Sequence, residues 1–246
     1  MYVMKKNQLA ATCETTTETL QRESRRKKNR DGLILNLILL HKEFHALGLP
    51  DALMNIVVKE LGKLTGEEYV LDFGMQVGGL PVKGRVHLEA DFPEDLYTTT
   101  HYELVLEGSS NTGDIRSAFL CTPFYFISVE EAVNLLQNRC IYRQPEVDPL
   151  GEGCWVFLGG AETMPGFPRL LFLHNGFQVR ENLLVSGLGS WLGPVQWNKL
   201  VSDLEKGYQC ELTAVTDEGM RKVKVEADPF GQRLKVTDMK GVEVKL

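Results

Sequence analysis

The sequence predicts an α+β protein built mainly from antiparallel sheets, and two patterns of apolar residues predict this class. Apolar residues recur at helical spacing in some segments, and they alternate with polar residues in others. Hydrophobic residues make up 43% and charged residues 24% of the 246 residues, a balance typical of a globular protein with a packed core. We therefore predict two α+β lobes with packed helices, residues 31–144 and 145–246, preceded by a flexible basic tail over residues 1–30.

The N-terminal segment, residues 1–30, differs from the rest of the chain in composition. It carries eight basic and three acidic residues and few apolar ones, so it buries too little apolar surface to offset the entropy of ordering. Its basic cluster consists of Arg25, Arg26, Lys27, Lys28 and Arg30. This cluster is either a solvated part of the tail or a contact for nucleic acid or an acidic partner. Because the chain carries −6 in total and residues 31–246 therefore carry −11, we expect at most weak, non-specific nucleic-acid binding, through the tail.

Two helices are predicted at the start of the first lobe. Residues 32–47 are dense in apolar side chains, and no helix-breaking residue occurs before Gly48. A second helix is predicted from Asp51 onward, again with apolar residues at helical spacing. The apolar run Leu33–Leu40 has eight residues, whereas a membrane span needs about 20, so we predict no membrane segment.

An antiparallel meander is predicted to follow, because apolar and polar residues alternate over several consecutive segments. Gly78 and Gly79 mark the turn between its first two strands. The predicted strands are Tyr69–Phe73, Val82–Ala90, Tyr102–Leu106 and Ile115–Phe126. Ser128, followed by acidic residues, then caps a helix that ends near Arg139.

The second lobe combines an irregular β region, one helix and a terminal meander. Strands Cys154–Leu158 and Arg169–Phe172 are joined by a connection that contains proline and glycine. The helix runs from Val195 to Lys206, and Gly207 ends it. The terminal meander consists of Cys210–Val215, Val223–Ala227, Leu234–Val236 and Val242–Val244.

The cysteines indicate reduced thiols. The chain contains five of them, an odd number, and no Cys-x-x-Cys pair, so the usual zinc and thioredoxin spacings are absent. Reduced cysteine behaves as a small hydrophobic residue, and we expect most of these side chains in or near the core. Reduced thiols fit the cytoplasm, which is the predicted location.

Two local patterns have the look of a site and are better explained otherwise. His41 and His45 have the spacing of zinc ligands on a helix, but the His-Glu-x-x-His order of metalloproteases is absent and no obvious third ligand accompanies them. The segment Gly187-x-Gly189 lacks the register of a dinucleotide-binding loop and predicts a turn. No Gly-x-Ser-x-Gly motif occurs either. We therefore predict no catalytic, cofactor-binding or metal-binding residues.

Several short segments occur in an order that resembles a known family. The clearest similarity covers Ile127–Leu136, Arg139 and Ile141–Arg143, where the family has Glu-Ala-Tyr-Asn-Leu-Leu, a Gly-Arg pair and a basic residue. Asn138 stands where that family has the glycine. Further similar segments are Leu47–Leu49, Asp95–Tyr97, Tyr102–Leu104, Leu204–Gly207, Glu226–Pro229 and Lys235–Asp238.

Over about residues 46–246 the chain resembles a family of proteins of unknown function that mobile and conjugative elements of Bacteroides-type bacteria encode. It departs from the family at Asn175–Val179, where the family has Tyr-Gly-Phe-Asp-Leu. The resemblance implies a bacterial origin and a mobile-element setting, in which relatives are joined to DNA-processing domains. It implies no known activity.

These observations leave two interpretations of function. The first is a non-enzymatic binding or accessory module with protein partners, because active-site motifs are absent and the resemblance implies a mobile-element setting. The second is an enzyme whose active site is assembled from scattered residues, with Cys140, His174 and the acidic residues of the terminal meander as the first candidates. A deep pocket with convergent polar groups would favour the enzyme.

Overall fold

Helices and mostly antiparallel strands make up the fold, which confirms the predicted α+β class. The computed structural model describes residues 32–60, 68–91, 96–107, 114–121, 126–144, 152–164, 166–216 and 219–244. The helices of these ranges are α1 (32–47), α2 (Asp51–Glu60), α3 (Val129–Leu136), α4 (Val179–Ser186) and α5 (Pro194–Glu205). The strands are β1 (Glu68–Val77), β2 (Leu80–Asp91), β3 (Leu96–Leu106), β4 (Ile115–Leu120), β5 (Ile141–Arg143), β6 (Cys154–Met164), β7 (Phe167–Leu173), β8 (Cys210–Thr216), β9 (Gly219–Asp228) and β10 (Arg233–Thr237). The predicted basic cluster of residues 25–30 lies outside the described residues.

Helices α1 and α2 form where the sequence predicts them. Gly48 ends α1 in a left-handed conformation, with φ of +68°, and the Leu49 N–H donates to the Phe44 carbonyl oxygen at 2.9 Å. Each helix buries one apolar face, as its periodicity predicts. The buried side chains of the two helices are Leu40, Phe44, Leu47, Leu53 and Val57.

Two polar side chains attach α1 to the first part of β3. The Asn36 side chain is 3% exposed, and its Oδ1 accepts a hydrogen bond from the Tyr97 N–H at 3.1 Å. The Glu43 carboxylate accepts a hydrogen bond from the Thr99 N–H at 2.9 Å. These bonds satisfy backbone groups that would otherwise be buried without a partner, at a cost of about 1–3 kcal/mol each.

Strands β1 to β4 form one sheet in chain order. Gly78 and Gly79 join β1 to β2 with φ of +57° and +84°, the left-handed pair that a tight hairpin turn requires, so the predicted turn is confirmed. Strand β4 pairs antiparallel with β3, with Leu106 opposite Ile115. The predicted bounds of these two strands are wrong: β3 already begins at Leu96, and β4 ends at Leu120 rather than continuing to Phe126.

A capping box starts α3 at the predicted residue. The Ser128 hydroxyl accepts a hydrogen bond from the Glu131 N–H at 3.3 Å, and the Glu131 carboxylate accepts one from the Ser128 N–H at 2.8 Å. A second sheet of order β5-β6-β7 follows. The sequence did not predict β5, because three residues are too few to show a period.

The third sheet, of order β10-β9-β8, is the predicted terminal meander. Its predicted last strand, Val242–Val244, is wrong as a strand: Glu243 forms one bridge to Thr237, and the Val244 N–H donates to the Val236 carbonyl oxygen. Gly207 follows α5 with φ of +83°, as expected for a glycine that ends a helix. Helix α4 was not predicted.

Trp155 is at the centre of the core that covers this third sheet. It is 1% exposed, and its indole Nε1 donates to the Phe177 carbonyl oxygen at 3.1 Å. Further fully buried members come from α4, α5 and the sheet, and they include Leu183, Leu204, Val223 and Val225. Both helices are therefore held by apolar packing against one face of the meander.

Two compact units divide the chain at positions other than the predicted lobe boundary. One unit comprises Met1–Leu71 and His87–Thr99, and the other comprises Asp72–Val86 and Thr100–Leu246. Within the second unit β5 pairs with β6, so segments on both sides of residue 145 share a sheet. The division into lobes 31–144 and 145–246 stays a prediction.

Candidate functional site

A charged cleft lies on the first sheet, within the second unit. Along β2, Val82 and Val86 are buried and Lys83 and Arg85 are exposed, because alternate residues of a strand point to opposite faces. The basic residues therefore share the open face with charged residues of β3 and β4. The cleft has a volume of about 720 Å³, and we define it by Asp72, Lys83, Arg85, His101, Glu103, Glu107, Asp114, Arg116 and Phe167.

Ion pairs line the charged cleft, and two of the three described ones join β2 to β3 or to the residue that follows it. Arg85 donates to one oxygen of Glu103 from two nitrogens, with Nε at 3.0 Å. Among the cleft residues that the structure describes, three ion pairs form: Arg85–Glu103, Lys83–Glu107 and Arg116–Asp114. Their side chains are 32–75% exposed, and exposed pairs of this kind contribute about 0.2–1 kcal/mol each. Such pairs contribute little to folding and are accessible to a ligand.

Lys83 is held in its charged form. Its Nζ lies 2.5 Å from Glu107 Oε1. The hydrogen bond to Glu107, together with the charge of that carboxylate, raises the pKa of Lys83 above its ordinary value. Lys83 therefore presents a full positive charge at one end of the cleft at neutral pH.

One wall of the charged cleft comes from the start of β7. The Ala118 N–H donates to the Gly166 carbonyl oxygen at 2.9 Å, and the ring of Phe167 lies 5.6 Å from the ring of His101. Ala118 is opposite Glu103 in the β3–β4 register, and its small side chain leaves space beside the carboxylate. The cleft is therefore an open groove with ion pairs along its floor and an aromatic ring on one side.

Gly84 allows the floor of the cleft to form. A Cβ at this position would lie 2.6 Å from the Glu103 carbonyl oxygen and would also overlap the ring of Phe73. A glycine inside a strand often marks such a close approach. The missing side chain therefore lets the backbone of β2 lie close to that of β3 at the residue before Arg85, which bonds to Glu103.

The charges of the cleft are of both signs and nearly balanced. Its basic members are Lys83, Arg85 and Arg116. Its acidic members are Asp72, Glu103, Glu107 and Asp114. Binding to a phosphate backbone requires an excess of basic residues, because affinity comes from the release of counterions. This surface therefore suits a ligand with both signs of charge better than it suits nucleic acid.

A second pocket, termed the Arg139 pocket, lies between the end of α3 and the turn that joins β9 to β10. Its volume is about 570 Å³. The residues that define it are Gln137, Asn138, Arg139, Cys140, Gln209, Glu226, Asp228, Phe230 and Lys235. All of them belong to the second unit.

The Arg139 pocket contains part of the catalytic group that the enzyme interpretation requires. It brings Cys140 together with Glu226 and Asp228, two acidic residues of the terminal meander, whereas His174 is exposed and is not among the residues that line it. Burial, together with the negative charges of Asp228 and Glu226, raises the pKa of the Cys140 thiol to about 11. A nucleophilic cysteine needs a lowered pKa, so this thiol is protonated at neutral pH.

The other residues singled out in the sequence occupy ordinary structural positions. His41 and His45 are both exposed on α1. Gly187 and Gly189 have φ of +67° and +71° in the turn after α4, which confirms the predicted turn. The four cysteines of the described ranges form no disulfide bond, and those that are buried are Cys140 and Cys154.

Sequence reasoning did not select the residues of the charged cleft. In the sequence, Lys83 and Arg85 are simply the polar residues that alternate with apolar ones in a predicted strand. Glu103 is a residue of the next predicted strand. A search for opposite charges on the polar faces of consecutive strands would have found them, because neighbouring strands of a meander are paired. Arg139 was named in the sequence only as the residue near which a predicted helix ends and as part of the family resemblance.

Comparisons of the chain with protein-family models, curated proteins and solved structures found no match. The resemblance to the mobile-element family therefore stays a prediction that depends on the segments quoted for it. Among the described helices, none is both long enough and apolar enough to cross a membrane.

Proposed function

We propose that this chain is a non-enzymatic binding module and that its charged cleft holds an extended polypeptide segment carrying both acidic and basic side chains. The observation that supports the proposal is the set of three exposed ion pairs along a single groove of about 720 Å³. Acidic side chains of a bound segment pair with the basic residues of the cleft, and its basic side chains pair with the acidic residues. No charged side chain of the cleft then loses its partner.

The openness of the cleft favours a polypeptide over a small molecule. Small-molecule sites are mostly apolar and bury about 70–90% of the ligand surface. The cleft instead presents charged side chains, of which the most exposed, Arg116, is 75% exposed. Complementary charges at such a surface select the partner and its register more than they add affinity. Phe167 provides an apolar contact at the wall.

The proposal includes a biological setting. The family resemblance supports a partner protein from the same bacterial mobile element, so that the chain acts as an accessory module there. The four cysteines of the described ranges form no disulfide bond with one another, and this supports a reducing compartment, the cytoplasm.

Selection of random peptides against the full chain tests the proposal. We expect the enriched peptides to carry both acidic and basic side chains, and their affinity to fall as salt is added, because exposed charges are screened. Reversing the central charge with Arg85→Glu should weaken binding by at least about tenfold, which corresponds to about 1.4 kcal/mol. Fluorescence anisotropy of a labelled peptide measures the change.

Two further variants separate a lost site from a damaged fold. Arg85→Glu combined with Glu103→Arg restores an ion pair across the strands but inverts its direction, so it should fold normally and still bind poorly. Lys222→Glu makes the same charge change at an exposed position of β9 outside the cleft, and it should alter the affinity by less than about twofold. Enriched peptides without charged residues, or an unchanged affinity of Arg85→Glu, would contradict the proposal.

A further inference from the structure

The guanidinium group of Arg139, which lines the Arg139 pocket, is held in place by the core. Its Nη1 donates to Asn134 Oδ1 at 3.0 Å, and Asn134 Nδ2 in turn donates to the Lys206 carbonyl oxygen at 2.9 Å. Asn134 is 1% exposed, so this anchor is fixed by the core. Partial burial also lowers the pKa of Arg139, although the charge of Glu226 opposes that effect. The cation is therefore oriented and partly removed from water.

The acidic residues of the Arg139 pocket are already matched by other cations. Lys235 Nζ lies 2.7 Å from Glu226 Oε1, and Arg233 Nε lies 3.3 Å from Asp228 Oδ2. Among the described residues, Arg139 has no carboxylate at ion-pair distance and donates only to an amide oxygen. The guanidinium has five N–H donors in a planar fork that fits the oxygens of a carboxylate or a phosphate. Arg139 is thus the cation of the pocket whose hydrogen-bonding capacity is largely unused.

An aromatic ring flanks the same pocket. Phe230 is 61% exposed, and its edge-on contact with Phe157, at 4.7 Å between ring centroids, holds its ring. The amides of Gln137 and Gln209 also line the pocket. A ring at the rim and a cation inside are suited to a ligand that has one flat apolar part and one anionic part.

We propose that the Arg139 pocket binds a small organic anion, a carboxylate or a phosphate monoester with a flat apolar body. The anionic oxygens accept hydrogen bonds from the guanidinium of Arg139, and the body lies against the ring of Phe230. The site is separate from the charged cleft, shares no residue with it, and does not depend on the proposed function.

Calorimetric titration of the full chain with phenyl phosphate, benzoate and inorganic phosphate tests this site. We expect saturable binding of phenyl phosphate or benzoate below about 10 mM, tighter than that of inorganic phosphate. Which of the two aromatic probes binds more tightly shows whether the site prefers a phosphate or a carboxylate. Arg139→Gln should weaken binding of the preferred probe by at least about tenfold, because the charge-assisted hydrogen bonds are lost.

Three variants keep the test decisive. Arg139→Lys retains the charge without the planar fork and should weaken binding by less than Arg139→Gln does. Phe230→Ala removes an exposed side chain, so folding should be unaffected. It should lower the affinity for the preferred aromatic probe by about threefold to tenfold, whereas the affinity for inorganic phosphate should change by less than about twofold. Arg180→Gln, at an exposed position of α4, is the matched control and should change nothing. Absence of saturable binding by all three probes, or unchanged affinity in Arg139→Gln, would overturn the proposal.

Discussion

Asn138 adopts a backbone conformation that few residues other than glycine tolerate. Its φ is +60°, and it follows α3 as the left-handed residue of a helix-ending motif. The Asn138 N–H donates to the Leu135 carbonyl oxygen at 2.9 Å, and the Arg139 N–H donates to that of Asn134 at 3.1 Å. Asparagine tolerates this region because its short polar side chain bonds locally. The predicted family resemblance would place a glycine here, and glycine adopts the same conformation readily.

At position 138, substitutions should follow backbone strain rather than packing, because the side chain is exposed. We expect Asn138→Gly to leave the free energy of unfolding within about 1 kcal/mol of wild type. Asn138→Val should lower it by about 1–2 kcal/mol, because a β-branched residue is strained at positive φ. Urea unfolding measures both free energies, provided that the dependence of the free energy on urea concentration is the same in each variant. Gln137→Val, at a neighbouring position with φ of −88°, is the control, and an equal loss in both valine variants would contradict this explanation.

At the scale of elements, a largely buried ion pair attaches the start of α3 to β5. Arg143 Nη1 lies 2.9 Å from Glu131 Oε1, and Nη2 donates both to the second Glu131 oxygen at 3.1 Å and to the Phe126 carbonyl oxygen at 2.6 Å. The two side chains are only 19% and 13% exposed. Since Glu131 is also half of the capping box with Ser128, one carboxylate organises the helix start and its contact with the strand.

Removing Arg143 should therefore destabilise the protein strongly. We expect Arg143→Met to lower the free energy of unfolding by about 3–5 kcal/mol, because it leaves the Glu131 carboxylate buried without its cation. The exposed pair between Lys199 and Asp203 in α5 is the control, and Lys199→Met should cost less than about 1 kcal/mol. Denaturant unfolding of the two variants compares these costs. Similar losses would show that the first pair behaves as a surface pair.

Helix α4 shows why some elements could not be predicted. Val179 and Leu183 are buried, but Leu184 and Val185 are 67% and 90% exposed, so the apolar residues do not mark one face. The N-cap residue Gln178 also makes no side-chain capping bond. A helix without periodicity or cap carries no local signal, and it forms because Leu183 fits the core beneath it.

At the scale of the whole molecule, the distribution of charge limits the partners. Residues 31–246 carry −11, whereas residues 1–30 carry an excess of basic residues. The charged cleft has no excess of basic residues either. The predicted contact with nucleic acid, through the basic cluster of residues 25–30, therefore stays a separate prediction that concerns the tail alone.

Titration into labelled duplex DNA tests the tail directly. The full chain should bind weakly and without sequence preference, and binding should weaken between low and moderate salt as counterion release becomes less favourable. A full-length variant in which five residues are replaced by glutamine should lose this binding. The replaced residues are Arg25, Arg26, Lys27, Lys28 and Arg30. Equal binding by the variant, or discrimination between duplex sequences by either protein, would show that another surface contacts DNA.

The sequence by itself determined the features that depend on local order along the chain. Alternation predicted β1 to β4 and β8 to β10, although with wrong bounds for β3 and β4, and it wrongly predicted a strand over Val242–Val244. Gly78 and Gly79 predicted a tight turn, and Ser128 predicted the start of α3. Each depends on a period or on turn and cap chemistry within a few residues, which local physics specifies without the rest of the fold.

Only the tertiary structure decided which polar side chains share a surface. Arg85 and Glu103 are 18 residues apart and meet because β2 and β3 are neighbours in one sheet. Arg139 and Phe230 line one pocket although the second sheet, helices α4 and α5, and two strands of the third sheet separate them in the chain. Strand register and the packing of distant segments determine which of these residues come into contact. A one-residue change of register would turn every side chain of the strand to the opposite face of the sheet. The folded chain therefore contains both candidate sites, and neither is present in any short stretch of its sequence.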